Sequence, residues 1–250
     1  MTIRLFNGDC MEAMKVMPDK AYDLAIVDVP YQIGADKIGH KKFGLGRGAR
    51  QKNGSMIFVA TVNYPPKKWD VRPPKEYFDQ LFRISKNQII WGGNHLADLI
   101  CRPSPCWVVW DKCNEGTDQS DAELAWTSFK TATRIFRFMW SGMMQGSLRC
   151  GSRANGNKRL NEKRIHPTQK PVALYKWLLK NYAKPGDKIL DTHGGSGSIL
   201  IACHDLGFSI DWYEIDTEYF NAAKERLERH QRQAVMTFDA PILPTQEALL

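Results

Sequence analysis

The chain has 250 residues, of which 43% are hydrophobic and 25% are charged, and its formal net charge is +8 at pH 7. A chain of this length buries a sizeable core and most simply forms one domain with insertions. No stretch approaches the roughly 20 apolar residues of a membrane span, and the first residues lack the basic start and apolar run of a signal peptide. We therefore expect a cytoplasmic protein with no membrane partner.

The six cysteines bear on metal and redox chemistry. They form no Cys-x-x-Cys pair and have no histidine partner at the spacing of a zinc site. The positions are Cys10, Cys101, Cys106, Cys113, Cys150 and Cys203. We expect reduced thiols, with neither a disulfide nor a bound metal.

Apolar runs, glycines and prolines predict an alternation of strands and helices along the chain. Strands are predicted at 3–6, 24–27, 88–91, 107–110, 123–126, 134–138, 188–190 and 210–213. Helices are predicted at 10–17, 73–82, 171–182, 198–202 and 217–230. This β-α-β alternation indicates an α/β fold.

Two basic segments lack apolar periodicity and are predicted to be long loops. The first contains Lys37, His40, Lys41, Lys42, Arg47, Arg50 and Lys52. The second contains Arg149, Arg153, Lys158, Arg159, Lys163 and Arg164. Either segment alone is compatible with a solvated surface, but clustered cations also bind nucleic acid by releasing counterions from phosphates. Because both segments flank the motifs described next, we predict that they contact DNA.

A glycine-rich segment, Asp191-Thr192-His193-Gly194-Gly195-Ser196-Gly197, follows a predicted strand and precedes a helix. It is typical of a tight turn and also of a backbone that passes close to a ligand at the carboxyl end of a sheet. The next strand ends in Glu214-Ile215-Asp216, where an acid can accept hydrogen bonds from ribose hydroxyls. We assign the ribose to Glu214, because Asp216 suits the N-cap of the following helix.

The glycine turn departs from the fingerprint of a dinucleotide site. The segment Gly195-Ser196-Gly197-Ser198-Ile199-Leu200 lacks the third glycine of Gly-x-Gly-x-x-Gly. Asp191 directly before the turn sits poorly beside a pyrophosphate and suits a cationic cofactor, such as one that carries the amine of a methionine moiety. The pattern favours S-adenosylmethionine over a dinucleotide.

A second motif, Asp28-Val29-Pro30-Tyr31, follows the strand at 24–27. A strand that ends in a proline turn would explain the tetrapeptide alone. It also suits chemistry on the exocyclic amine of adenine or cytosine, a weak nucleophile because its lone pair is delocalised into the ring. The Asp28 carboxylate and the Val29 carbonyl would accept the two amine hydrogens, and Tyr31 would stack on a base rotated out of the duplex.

Together the two motifs resemble the β group of DNA amino-methyltransferases, in which the catalytic motif precedes the cofactor loop. The resemblance covers most of residues 3–230. Five further segments resemble the family and follow its order: Asn7-Gly8-Asp9-Cys10, Trp91-Gly92-Gly93-Asn94, Val109-Trp110-Asp111-Lys112, Asp121-Ala122-Glu123-Leu124-Ala125-Trp126 and His166-Pro167-Thr168-Gln169-Lys170-Pro171.

The resemblance implies a Rossmann-like S-adenosylmethionine-dependent methyltransferase fold with a circularly permuted motif order. Its central sheet should be mostly parallel and seven-stranded, with helices on both faces. One catalytic domain would cover residues 1–234 and a tail residues 235–250. Basic insertions at about 32–70 and 141–165 would contact DNA and select the target sequence.

The resemblance also implies the site residues. The catalytic residues would be Asp28, Val29, Pro30 and Tyr31. The cofactor would be bound by Asp9, Cys10, Asp28, Thr168, Gln169, Lys170, Asp191, His193, Gly195, Ser196, Gly197, Glu214 and Ile215. Within this set, Asp9 and Cys10 would approach the adenine of the cofactor, and residues 168–170 would lie near its methionine end.

Two positions depart from the family's pattern. The usual catalytic motif has two prolines, and Val29 replaces the first. Valine keeps the required backbone carbonyl but loses the rigidity of proline, so we expect a lower turnover. The usual aromatic residue after Asp191 is His193 here, which we expect to contact the cofactor and not to react.

We expect methyl transfer from S-adenosylmethionine to the 6-amino group of adenine in double-stranded DNA, with base flipping, because the family links a leading aspartate to adenine. Three alternatives stay open: methylation of cytosine at N4, methylation of adenine in RNA, and a DNA-binding protein whose catalysis is weakened by Val29. The resemblance is compatible with a homodimer. The recognition sequence and any companion restriction enzyme stay open.

Overall fold

The computed structural model describes residues 1–32, 49–50, 56–57, 70–114, 120–140, 145–146 and 161–234. The predicted insertions at 32–70 and 141–165 fall mostly outside these residues, and the tail at 235–250 falls wholly outside them. The DNA contacts expected of the insertions therefore stay predictions. No helix in the described part of the chain is long and apolar enough to cross a membrane.

Strands and helices alternate as the sequence predicts. The strands are β1 Ile3–Asn7, β2 Tyr22–Val27, β3 Ala49–Arg50, β4 Met56–Ile57, β5 Ser85–Trp91, β6 Trp107–Asp111, β7 Ala122–Thr127, β8 Arg134–Arg137, β9 Met139–Trp140, β10 Gln145–Gly146, β11 Lys188–Asp191 and β12 Ser209–Glu214. The helices are α1 Cys10–Val16, α2 Lys75–Ile84, α3 Ala97–Ile100, α4 Val172–Tyr182, α5 Ser198–Leu206 and α6 Thr217–Ala234. Each predicted element is present. The short helix α3 and the antiparallel pairs of two-residue strands, β3 with β4 and β9 with β10, were not predicted, because such short segments carry no periodicity.

The central sheet of the described residues has eight strands in the order β1-β12-β11-β2-β5-β7-β6-β8. Only β7 among them runs antiparallel to its neighbours, so the expected mostly parallel sheet is confirmed. The expected number of seven strands was one too low. The additional edge strand is β8, which pairs with β6 in parallel, with Ile135 opposite Val109.

The two motifs distant in sequence meet at the centre of this sheet. Strand β2 precedes the Asp28 motif, and β11 precedes the glycine turn. The two strands are parallel neighbours, with Leu24 opposite Ile189 and Ala25 opposite Leu190. The carboxyl ends of parallel neighbours lie at one edge of the sheet, which is where ligands bind in open α/β folds.

Helices cover both faces of the sheet, which explains the unbroken apolar run of β2. Successive strand side chains point to opposite faces. Leu24 and Ile26 pack on one face with residues of α4, α5 and α6. Ala25 and Val27 pack on the other face with residues of α1 and α2. A strand buried on both faces needs apolar residues at consecutive positions.

Candidate active site

A cavity opens where β1, β2, β11 and β12 end. Its walls are the residues after β1, the Asp28 motif after β2, the loop before α4, the glycine turn after β11 and the end of β12. All predicted site residues line this cavity except Asp191 and Gly197. The structure therefore brings the predicted catalytic and cofactor residues into one site.

Asp191 and Gly197 shape the glycine turn from behind the cavity wall. Asp191 is buried, and its Oδ1 accepts a hydrogen bond from the His193 backbone N at 3.1 Å. Burial raises the pKa of Asp191 well above its usual value. Gly197 is the N-cap of α5 and has a left-handed conformation with φ 66°. The position of Asp191 thus does not support the predicted direct contact with a cationic cofactor.

Gly194 allows the turn to lie directly against β12. Its backbone N donates to the Tyr213 carbonyl oxygen at 2.9 Å. A Cβ at this position would lie only 1.9 Å from the indole ring of Trp212, which is fully buried. A side chain of any size would therefore force the turn away from β12.

We expect Gly194→Ala to destabilise the protein by about 2 kcal/mol through overpacking against Trp212. The displaced turn should also weaken cofactor binding. Thermal unfolding and calorimetry would measure the two effects. The matched control is Gly8→Ala, because Gly8 also lines the cavity but its Cβ would meet no protein atom within 4 Å. Equal unfolding temperatures for the two variants would contradict the prediction.

Glu214 ends β12 with its carboxylate against the glycine turn. Oε2 accepts from the Gly195 backbone N at 2.7 Å, and Oε1 accepts from the Asp216 backbone N at 2.8 Å. Burial raises the pKa of Glu214, and these backbone hydrogen bonds oppose the rise. Each carboxylate oxygen has further acceptor capacity, so the group can still accept from ligand hydroxyls.

Asp216 has the role that the sequence predicts for it. Its Oδ1 accepts from the backbone N of Glu218 at 2.9 Å and of Tyr219 at 3.1 Å, at the start of α6. These bonds satisfy amides that have no partner within the helix. The predicted N-cap is confirmed, and Glu214 is the acid of this pair that lines the cavity.

Asp28 has two carboxylate oxygens in different environments. Oδ2 accepts from the Lys170 Nζ at 2.5 Å, whereas Oδ1 is buried and has no hydrogen-bond partner among the described residues. Burial raises the pKa of Asp28, and the positive charge of Lys170 opposes this rise. A buried acceptor without a donor is costly. The site is therefore suited to a ligand that brings its own donor, such as an amine.

The Tyr31 ring lies against His95 and Gly92, in the turn after β5. Its ring stacks on His95, with centroids 5.1 Å apart and an interplanar angle of 11°. A Cβ at Gly92 would lie 2.4 Å from the Tyr31 ring, and Gly92 has φ 68°. The glycine therefore makes room for the ring. Burial raises the pKa of Tyr31, which keeps its hydroxyl neutral.

His193 is a neutral part of the cavity wall. Burial lowers its pKa to about 4, so the imidazole carries no charge at pH 7. Its Nδ1 lies 3.0 Å from the Thr192 Oγ1, which lies 2.6 Å from the Tyr77 hydroxyl. The imidazole ring also packs edge-on against the Tyr77 ring, with centroids 5.2 Å apart. His193 therefore packs against Tyr77, and its expected contact with the cofactor, without a part in the reaction, stays a prediction.

Several cavity residues were not among the predicted site residues. They are Gly8, Asp70, His166, Thr192, Gly194, Tyr175 and Tyr219. Gly8, His166, Thr192 and Gly194 lie inside quoted motifs, so their position beside predicted residues was the available signal. Asp70, Tyr175 and Tyr219 carried none. Tyr219 lies in the cavity wall beside His166, with ring centroids 4.3 Å apart, although the two residues are far apart in sequence.

One group of potential metal ligands lies outside the cavity, on α5 and α6. His204, Asp205 and His230 place a ligand atom each within 4.8 Å of one another. The second oxygen of Asp205 pairs with Lys176 Nζ at 2.6 Å. Because this lysine already balances the carboxylate, an ion-pair network explains the group. The absence of a bound metal stays a prediction.

The sheet order and the position of the cavity define the fold of S-adenosylmethionine-dependent methyltransferases. The chain belongs to the N6/N4 methyltransferase family, whose model, described as DNA methylase, matches residues 51–225. The type II methyltransferase M.HinfI of Haemophilus influenzae is 25% identical over 258 residues, which cover 89% of this chain and 67% of that protein. M.HpaI of Haemophilus parainfluenzae is 43% identical over 63 residues, which cover 25% of this chain and only 20% of that relative.

Solved structures share the fold. M1.HpyAVI, in a complex with SAM, has a TM-score of 0.53 at 20% identity and covers 90% of this chain and 100% of its own. The putative DNA modification methylase TTHA0409 of Thermus thermophilus, complexed with S-adenosyl-L-methionine, has a TM-score of 0.52 at 15% identity, with coverage of 92% and 94%. The cytosine-N4-specific PvuII DNA methyltransferase has a TM-score of 0.51 at 12% identity, with coverage of 93% and 92%.

Proposed function

We propose that the protein transfers a methyl group from S-adenosylmethionine to the 6-amino group of adenine in double-stranded DNA. The observation that carries this proposal is the buried Oδ1 of the partly buried Asp28 side chain, which lacks a donor among the described residues. Asp28 shares a cavity with Glu214 and the glycine turn. Membership of the DNA methylase family supports a DNA amine as the acceptor. The choice of adenine follows from the leading aspartate of the catalytic motif.

The residues of the cavity fit this cofactor. Glu214 offers carboxylate oxygens to ribose hydroxyls, and Asp9, Cys10 and Ile215 line the neighbouring wall. The uncharged His193 adds no cation that would repel a sulfonium. When bound, the cofactor supplies an activated methyl group.

The catalytic motif acts on the base amine. We infer that Asp28 Oδ1 accepts one amine hydrogen and the Val29 backbone carbonyl accepts the other. These two bonds favour a pyramidal nitrogen whose lone pair is available for attack, and the carboxylate stabilises the positive charge that develops on this nitrogen. Tyr31 stacks on the flipped base and aligns it, which supplies part of the rate through orientation.

The test is to incubate the protein with methyl-labelled S-adenosylmethionine and unmethylated genomic DNA, and to identify labelled nucleosides by mass spectrometry. The expected product is the N6-methylated adenine nucleoside. A labelled N4-methylated cytosine nucleoside would correct the base, because both amines offer two hydrogens to the same acceptors. An unlabelled DNA with cofactor still bound would overturn the proposal, and labelled RNA would then distinguish an RNA methyltransferase from a protein that only binds DNA.

A further inference from the structure

Asp28 begins a row of four alternating charges, of which the first two, Asp28 and Lys170, line the cavity and the last two do not. Lys170 Nζ lies 2.5 Å from Asp28 Oδ2 and 3.0 Å from Glu123 Oε2. Glu123 Oε1 in turn lies 2.7 Å from Lys112 Nζ. The side chains of Asp28, Lys170, Glu123 and Lys112 are 17%, 2%, 27% and 19% exposed, so Lys170 is the most deeply buried charge of the row.

Because of Glu123, the Lys170 ammonium pairs with two carboxylates, those of Asp28 and Glu123. An ammonium group has three protons to donate. That of Lys170 contacts Asp28 and Glu123, and it also lies 5.2 Å from the centre of the Trp91 ring. In the described part of the chain, Asp28 would be the one acid paired with Lys170 if Glu123 lost its charge. The positive charge of Lys170 would then be balanced by Asp28 alone among these two acids.

We propose that Glu123 is a positioning residue for methyl transfer. It fixes the Lys170 ammonium between two carboxylates, so that Lys170 anchors Asp28 Oδ2 and leaves Oδ1 to the target amine. This inference rests on the proposed function. The carboxylate of Glu123 is contributed by β7, on the far side of β5 from the Asp28 motif, and it does not line the cavity.

The electrostatic effect of Glu123 on Asp28 has a defined sign. Burial raises the pKa of Asp28, Lys170 lowers it, and the charge of Glu123 raises it. Other titratable groups that interact with Asp28 lie on its own loop, on α4 and on β11: Tyr31, Tyr175 and Asp191. Glu123 therefore offsets part of the positive charge of Lys170, which keeps Asp28 a stronger hydrogen-bond acceptor.

The experiment is the Glu123→Gln variant, which keeps the size of the side chain but removes its charge. We expect kcat to fall by about 10- to 100-fold, the order of loss that a misplaced catalytic group produces. The affinity for S-adenosylmethionine should be unchanged. The acidic limb of the pH–kcat profile should move to lower pH, because Asp28 keeps its negative charge to lower pH without Glu123. A merely structural role would lower activity without moving this limb.

The control is Asp111→Asn, at the end of the neighbouring strand β6. It removes a carboxylate that pairs with Arg137 at 3.0 Å and does not line the cavity. We expect an unchanged kcat and pH profile. If the wild type methylates DNA and Glu123→Gln has the same kcat or the same acidic limb, the inference is overturned. A wild type without activity would instead refute the proposed function.

A second variant, Lys112→Met, gives a result even if Glu123→Gln does not fold. It removes the cation at the other end of the row and leaves the contacts of Asp28 in place. The charge of Glu123 is then less compensated and raises the pKa of Asp28 further, so the acidic limb should move to higher pH. A profile identical to that of the wild type would overturn the inference.

Discussion

Replacing Asp28 with alanine is expected to reduce kcat for methyl transfer by about 10²- to 10³-fold, as when a group that stabilises transition-state charge is removed. The variant loses the Oδ1 acceptor and leaves Lys170 with Glu123 as its acidic partner among the described residues. Cofactor binding should be largely intact, because the proposed ribose acceptor Glu214 ends β12 and the glycine turn follows β11. Product analysis by mass spectrometry and cofactor titration by calorimetry would measure the two properties separately.

The stability of this variant needs its own control. Removing one partner of a buried ion pair costs about 3–5 kcal/mol. Asp28→Asn keeps the shape of the side chain and an acceptor oxygen but removes the carboxylate charge, so its kcat should lie between those of the wild type and Asp28→Ala. Asp23→Asn removes a carboxylate from the same strand, β2, where Asp23 pairs with the exposed Lys86 at 2.7 Å, and should stay active. A product yield equal to that of the wild type in either Asp28 variant would refute the assignment of the catalytic acid.

Replacing Glu214 with alanine is expected to raise the dissociation constant for S-adenosylmethionine by about 100-fold or more. Hydrogen bonds to a charged group contribute roughly 1.5–3 kcal/mol each, and ribose offers two hydroxyls. The variant also frees the Gly195 amide that the carboxylate holds at 2.7 Å, which loosens the glycine turn. Calorimetry at constant pH would measure the affinity, and kcat at saturating cofactor should recover towards the wild-type value.

Asp216→Ala separates this effect from damage to α6. Loss of the N-cap costs about 1 kcal/mol of stability, but Asp216 does not line the cavity, so the cofactor affinity should stay close to that of the wild type. An affinity that is unaltered in Glu214→Ala, or equally weak in both variants, would argue against a ribose contact by Glu214.

Sequence patterns predicted those parts of the site that coincide with the ends of buried strands. Apolar runs identified β2 and β11, and the motifs that follow them line the cavity together. The N-cap role of Asp216 was also predicted, because an N-cap has a local signal, whereas the ribose contact of Glu214 stays a prediction. Site residues that belong to a motif of consecutive residues at a strand end could therefore be located from the sequence alone.

Contacts between distant elements could not be derived in the same way. Lys170 was predicted to lie near the methionine end of the cofactor, and no sequence signal indicated that its ammonium pairs with Asp28, which follows β2, and with Glu123 of β7. Similarly, the need for glycine at position 194 comes from Trp212, a residue of the next strand. Such pairs depend on sheet order and register, which no short segment of sequence specifies.

The sheet pairs strands from the two ends of the chain, which has a consequence for how the protein folds. Strand β1 pairs with β12, and β2 pairs with β11. Strands from the start of the chain therefore cannot pair with these neighbours until the last strands have been synthesised. Pairing between residues so far apart in sequence slows folding, because the chain between them loses conformational entropy before the strand contacts can stabilise the sheet. During synthesis the Asp28 motif therefore lacks the opposite wall of the cavity, formed by the glycine turn and Glu214, until β11 and β12 have been made. Methylation competence is acquired only after both strands have been made.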